Sequence, residues 1–333
     1  DETRAPDARA GLACARRRAL IIVEGAEEAD GCDGRAALPN LLSVLDPANR
    51  RLVLTRDVTQ VVPTETIRID DPLAHDEAAA LFDRLTEGRV TGRTRNDVLN
   101  LLAGHPLALT WAGSLLARGD ESPGVLVDEW RRENLPSLSD PQDFRHTLQW
   151  LFARSLRGLG TTERVALDAA GLLAHAPFPL DSIVSALGDG VTDSTARDAL
   201  RHLVQRNLLR PITSSAGLGG AWQFTHVLGY QFARRETASD TLLRLRLADW
   251  CGQSLSRAVS DTSVRVPSVA DIGRLLQHTA AVLRADDDQS LTRLANYVLY
   301  DASDRLLALG SLSLIEAALA DFAGWMDHWP PPK

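Results

Sequence analysis

Lysine is almost missing from this chain of 333 residues: Lys333, the last residue, is the only one. A P-loop ends its Gly-rich turn in Lys followed by Ser or Thr, so no P-loop lies within these residues. Cysteine is scarce too. Cys14, Cys32 and Cys251 are unequally spaced and leave one unpaired, which excludes a disulfide framework and reads as reduced, cytosolic thiols. No apolar run approaches the roughly 18 residues of a membrane span, and no signal-peptide pattern opens the chain. The expected location is cytoplasmic, with no membrane partner. Enzymes with a self-contained active site rank last, because no Cys pair, HExxH pattern or Ser-nucleophile motif occurs. His75, His146, His175, His202, His278 and His328 show no metal-ligand spacing. Asp1 is not an initiator methionine and the first strand signal comes early. The expectation is a fragment, a processed product or a chain whose earlier part is not included.

What is present is ordinary for a folded protein: 44% hydrophobic and 24% charged residues, enough length for two to four small domains. Net charge is −8, which argues against a broad nucleic-acid surface and leaves room for a local basic face. The almost exclusive use of arginine, with abundant Ala and Leu, fits a GC-rich genome.

Residues 19–23, Ala-Leu-Ile-Ile-Val, form a continuous apolar run, as in a parallel strand covered on both faces. A helix is predicted around 36–45, a second buried strand at 52–55 and a third at 65–69. Together they predict the later part of a parallel α/β sheet. After Pro72 the pattern turns helical. Asp76-Glu77 starts a helix with Ala78, Leu81, Phe82 and Leu85 on one face. The next runs near 95–103 and stops at Gly104, and Pro106 starts another carrying Leu107, Leu109, Trp111 and Leu115. Pro, Ser and charge in 120–142 mark a boundary. Residues 143–236 read as three helices and two strands. The third helix is 193–206, N-capped by Asp193 or Ser194, and the strands 208–213 and 221–225 flank the glycine-rich loop 216–220. Three helices with such a wing predict a winged helix. Only helical patterns follow, near 241–258, 270–284, 290–308 and 312–326.

Four short stretches carry candidate chemistry. Glu24 ends the first strand at its carboxyl edge, where α/β sheets bind ligands and a carboxylate can hold a Mg²⁺-bound water. Acidic residues also commonly follow apolar strands with no such role. Thr55-Arg56 ends the second strand; the guanidinium can reach a terminal phosphate or simply pair with Asp57. In Gly104-His105-Pro106-Leu107, glycine stops one helix and proline opens the next, which a plain helical corner explains as well as contact with a base and sugar. His226 follows the second wing strand and can donate to a diphosphate or serve a structural role.

In this order the stretches resemble the NB-ARC branch of the signal-transduction NTPases (the STAND class). Leu20–Glu24 looks like its Walker B strand, Leu52–Arg56 like its sensor strand, and Leu73 with Asp76–Phe82 like the opening of its first helical domain. Gly104-His105-Pro106-Leu107 looks like its Gly-x-Pro motif, and Thr225-His226-Val227 falls where its Met-His-Asp motif lies. The resemblance spans about residues 17–236. It implies a mainly α fold with α/β: part of a parallel P-loop-type sheet (1–71), a helical ARC1-like domain (72–135), a winged helix (136–236) and a helical, repeat-like segment (237–333). It also implies ADP or ATP with Mg²⁺, contacted by Arg56, Gly104, Pro106, Leu107 and His226, with Glu24 near the metal. The implied action is a switch: ADP holds the domains closed, exchange for ATP opens them, and opened copies self-associate to control an N-terminal effector in response to a stimulus, neither of which the sequence identifies. Three departures stand out. Walker A is absent, Glu24 replaces the usual Asp, and Val227 replaces the motif's Asp. They point to slow hydrolysis at most in an intact parent, and none by this chain alone.

Two other readings remain. In a DNA-binding transcription regulator the third helix would face the groove, but Arg197, Arg201, His202 and Arg206 are offset by Asp193 and Asp198. A nucleotide-free protein-interaction scaffold fits the missing lysine.

Overall fold

The computed structural model describes residues 20–24, 50–54, 72–136, 138, 144–212, 220–237, 240–260 and 269–283. The chain divides into two compact units, Asp1–Asp70 and Asp71–Lys333.

In the first unit, β1 (Leu20–Glu24) pairs in parallel with β2 (Arg50–Leu54), Leu20 opposite Arg50 and Glu24 opposite Leu54. Parallel partners need a crossover of about a dozen residues or more, which 25–49 supply. The register sets the carboxyl ends of the two strands side by side. The helix expected at 36–45 and the strand at 65–69 lie outside the described residues.

The second unit is mostly helical. Its described residues form α1 (His75–Leu85), α2 (Gly92–Leu102), α3 (Pro106–Ala117), α4 (Pro123–Arg132), α5 (Phe144–Ser155), α6 (Thr161–Leu172), β3 (Phe178–Pro179), α7 (Leu180–Leu187), α8 (Asp193–Gln205), β4 (Leu209–Ile212), β5 (Ala221–Phe224), α9 (Val227–Thr237), α10 (Thr241–Ser260) and α11 (Val269–Leu283). The three strands make an antiparallel sheet in the order β3-β5-β4.

Local chemistry explains most starts and stops. Ala74 has no side-chain oxygen, so the Glu77 carboxylate reaches back to accept from its N–H at 3.1 Å and starts α1. Ala103 (φ 46°) and Gly104 (φ 72°) turn left-handed to end α2, and Pro106 opens α3 where its missing N–H costs nothing. α3 is buried nearly all round, with Leu109, Trp111, Ala112 and Leu115 at most 2% exposed, and is the central helix of the core.

Four expectations need correction. α2 begins at Gly92, three residues early. Within 120–142, where a boundary is expected, lies a helix that the sequence reading did not include, α4: Ser122 accepts from the Val125 N–H at 3.3 Å, Pro123 sits at the first helical position, and Leu126, Val127 and Trp130 are buried. It ends at Arg132, ahead of the expected boundary between 135 and 136. α8 is capped by Thr192, whose hydroxyl accepts from the Thr195 N–H at 3.2 Å, and not by Asp193 or Ser194. Four helices, not three, precede the β4–β5 hairpin, and the short β3 adds a third strand. Residues 213–219 of the hairpin loop and the helices expected near 290–308 and 312–326 lie outside the described residues.

Arginine has a recurrent structural job here. Each helix leaves its last carbonyls without an intrahelical partner. Arg89 donates to Ala117 O of α3 at 2.6 Å, Arg118 to Gln205 O of α8 at 3.4 Å, Arg206 to Ser155 O of α5 at 3.0 Å, and Arg246 to Ala186 O of α7 at 3.1 Å. Arg234 closes two ends, Leu172 O of α6 at 3.3 Å and Ala281 O of α11 at 3.0 Å. A guanidinium suits this work because its fork reaches several carbonyls while its charge meets the negative end of the helix dipole.

Candidate functional site

The α2–α3 corner is built around a backbone crossing. The Leu73 N–H donates to Gly104 O at 3.0 Å, and a Cβ added to Gly104 would stand 2.4 Å from Leu73 O. Glycine is therefore required here by packing as well as by φ. Pro106 is exposed, while Leu107 is half-buried and packs against the core. His105, between them, caps α3: its Nδ1 accepts from the Ala108 N–H at 3.4 Å, and its ring stacks on Phe144 with centroids 6.0 Å apart.

The β5–α9 junction repeats this device. Thr225 is fixed by its hydroxyl donating to Asn207 O at 2.6 Å and its N–H to Leu208 O at 3.1 Å. His226 O accepts from the Tyr230 N–H at 3.3 Å, and His226 Nδ1 accepts from the Leu228 N–H at 3.1 Å. In both histidines an accepting Nδ1 assigns the ring proton to Nε2, leaving that nitrogen as a donor.

The charge of His105 is felt at His226. Loss of solvation is the larger cause that lowers the His226 pKa, and like charge on His105 and His175 lowers it further, although the residue keeps an exposed edge. Burial also lowers the pKa of His105. His175 comes from the connection between α6 and β3 and tilts against Tyr230, centroids 5.1 Å apart. His105 opens α3, His226 opens α9 beside His175, and the charges of His105 and His175 both bear on His226; neither helix carries an acid in its first turn. Neutral N–H donors at the positive ends of two helices can accept an anion such as a phosphate group.

Of the residues singled out from sequence, Gly104, Pro106 and Leu107 share the α2–α3 corner, and His226 opens α9, within electrostatic reach of His105. Glu24 ends β1 in the first unit, beside the end of β2. Arg56 lies outside the described residues. His105 and His175 were missed as site residues: His105 stood inside a quoted motif with no assigned role, and His175 is about fifty residues from His226, with no spacing rule to join them.

Of the basic residues noted around α8, Arg197 is exposed and the others are engaged within the protein. Arg201 pairs with Asp198 at 2.7 Å, His202 with Glu163 at 2.8 Å, and Arg206 is buried on the end of α5. Among the described residues no group of three or more His, Cys, Asp or Glu side chains is arranged to hold a metal ion, and no helix is long and apolar enough to cross a membrane. No protein-family model matches the chain, and no curated protein matches it.

Proposed function

We propose that this chain is the regulatory part of a nucleotide-dependent signalling switch of the STAND type, which closes on ADP and opens on ATP to self-associate and release an effector. The observation that carries the reading is the pairing of the Gly104-His105-Pro106 corner with the Thr225-His226 junction. Two stretches about 120 residues apart, each noted for nucleotide contact, each open a helix with a histidine whose pKa is lowered, and the charge of His105 is felt at His226. The order α6, β3, α7, α8, β4, β5 over 161–224 supports a winged helix, because a winged helix alternates helices and strands in that order.

In this reading His226 and His105 donate from Nε2 to the diphosphate, and Pro106 and Leu107 provide an apolar edge for the base. Glu24 and Arg56 keep the roles that the resemblance implies, near the metal and the terminal phosphate. Bound nucleotide supplies the energy difference between the closed and open arrangements. With Lys333 the only lysine, no triphosphate cradle of the P-loop kind lies among these residues. The proposal therefore assigns this chain regulatory contacts rather than hydrolysis.

The test is to denature the protein as isolated from its native source and identify any released nucleotide. One ADP per chain, lost in a His105→Ala, His226→Ala double variant that keeps its fold, is the expected result. No nucleotide, together with no response of the histidine resonances to added ADP or pyrophosphate, overturns it and leaves the interaction-scaffold reading.

A further inference from the structure

The turn from α8 into β4 joins two segments that no sequence motif connects. Asn207 sits there with φ 54°, a left-handed conformation that asparagine tolerates better than most residues. That conformation lets it face two ways. Its side-chain Nδ2 donates to Ser114 Oγ on α3, and its backbone O accepts the Thr225 hydroxyl at 2.6 Å, immediately before His226. The residues on either side reinforce the tie. Gln205 O accepts from Arg118, and Arg206 reaches Asp120 at 3.2 Å while Asp120 also takes the Arg118 Nε at 2.8 Å.

A second contact links α3 to the same part of the chain, and it is of another kind. Trp111 of α3 packs with Phe152 and Phe232, ring centroids 5.5 and 6.4 Å away, and Gly229 of α9 lies over them. Among the described residues this layer has no directional bond, and the buried Trp111 Nε1 finds no partner there. Apolar contact of this sort tolerates sliding and rotation. The polar contact does not: its bonds are specific, and Arg118 and Asp120 are part-exposed, at 20% and 27%, so water can replace the bonds between them, while Arg206 stays anchored on the end of α5.

We propose that the α8–β4 turn is a polar latch, centred on Asn207, that positions His226 against α3 and opens as a unit while the aromatic layer serves as the pivot. Asn207 acts through Thr225 and is a positioning residue. The part of this inference that concerns ligand rests on the nucleotide reading. A ligand held by His105 and His226 clamps the same two segments as the latch, so the two stabilise one arrangement. Coupling is reciprocal: breaking the latch weakens the ligand, and the ligand tightens a latch it does not touch.

The experiment is amide hydrogen exchange on the full chain, with and without ADP, for wild type and Asn207→Gly. Glycine keeps the left-handed backbone and removes only the amide, so folding survives. A second variant, Ser114→Ala, removes the other partner. In each, exchange at 206–208 and 225–228 is expected to rise about 10-fold, with 166–172 of α6 unchanged as the reference, since local opening frees one cooperative unit. ADP is expected to slow exchange at 206–208 in wild type and to bind either variant at least about 5-fold more weakly. Unchanged exchange at both segments, or an equal rise through α6, overturns the latch. If wild type binds no ADP, the nucleotide reading fails, while the exchange comparison of the ADP-free proteins still decides the latch.

Discussion

The two ends of α3 are finished in opposite ways. Its carboxyl end is enclosed by charge: Arg89 on Ala117 O, then Arg118, Asp120 and Arg206 bonded to one another. Its amino end has no acid in its first turn, an exposed proline and the His105 cap, whose pKa burial lowers. The negative end of the dipole is met by charge, and the positive end by an uncharged cap. A charged network of this kind holds shape. A helix start with no acid of its own favours an anionic ligand.

Breaking the charged side should have the largest effect. Arg154 of α5 is 2% exposed and is bonded by Glu121 and Glu129, with its guanidinium 4.3 Å from the centre of the Trp150 ring. Burial lowers its pKa to about 10, which still leaves it charged at neutral pH. Arg154→Ala strands the Glu121 carboxylate, 9% exposed, while Glu129 keeps Arg132 and Arg157, and should cost about 3–5 kcal/mol in urea unfolding. Arg154→Met, which keeps volume but not charge, should cost nearly as much if the carboxylates dominate. If both variants cost under about 1 kcal/mol, the network is a surface feature and the contrast between the two ends collapses.

The amino end should fail for a different reason. Gly104→Ala combines a left-handed φ with a Cβ 2.4 Å from a backbone oxygen, which cannot move as a side chain can. Summing strain and displacement gives a loss of about 2–4 kcal/mol, measurable by thermal unfolding. A loss that small changes apply to ligand binding alone, with stability intact, would mean the glycine is kept for the ligand and not for the Leu73 crossing.

The sequence made the frame of this molecule legible where one strong local cause acted. The apolar run at Leu20–Val23 became a strand, and Gly104 followed by Pro106 marked the α2–α3 corner to the residue. It was misleading where two causes share a signature. Ser122-Pro123 reads equally as a linker or as a cap and first turn, and only burial of Trp130 tells them apart. Phe178-Pro179 is too short a strand for any pattern, since its pairing partner, Trp222, is far along the chain. The arginine usage was put down to base composition, yet five of these residues close helix ends, a role set by tertiary geometry. For the same reason His105 and His175 were invisible as partners of His226: proximity created across three connections leaves no periodicity.

The subtlest test of the comparison is its pH response. A histidine whose pKa is lower folded than unfolded binds fewer protons in the native state. Its contribution is complete above the unfolded value near 6.5 and is lost as pH falls toward the folded one. His105 and His226 are both lowered, so the amino end of α3 should loosen on acidification, before the arginine-closed carboxyl end responds. His278 is an internal control. It is buried, its Nδ1 accepts from the Ala174 N–H at 3.2 Å and its Nε2 donates to Pro177 O at 3.0 Å, and burial takes its pKa down to about 4. Imidazole resonances followed by NMR should show His105 and His226 titrating below the free value and His278 last. Adding pyrophosphate should raise the first two, because an anion favours the protonated ring, and leave His278 where it was. A pyrophosphate shift confined to other histidines would place the anion elsewhere and remove the functional meaning of the open amino end. No shift at all would remove the anion while leaving the acid-softening of that end to stand or fall on the ligand-free titration.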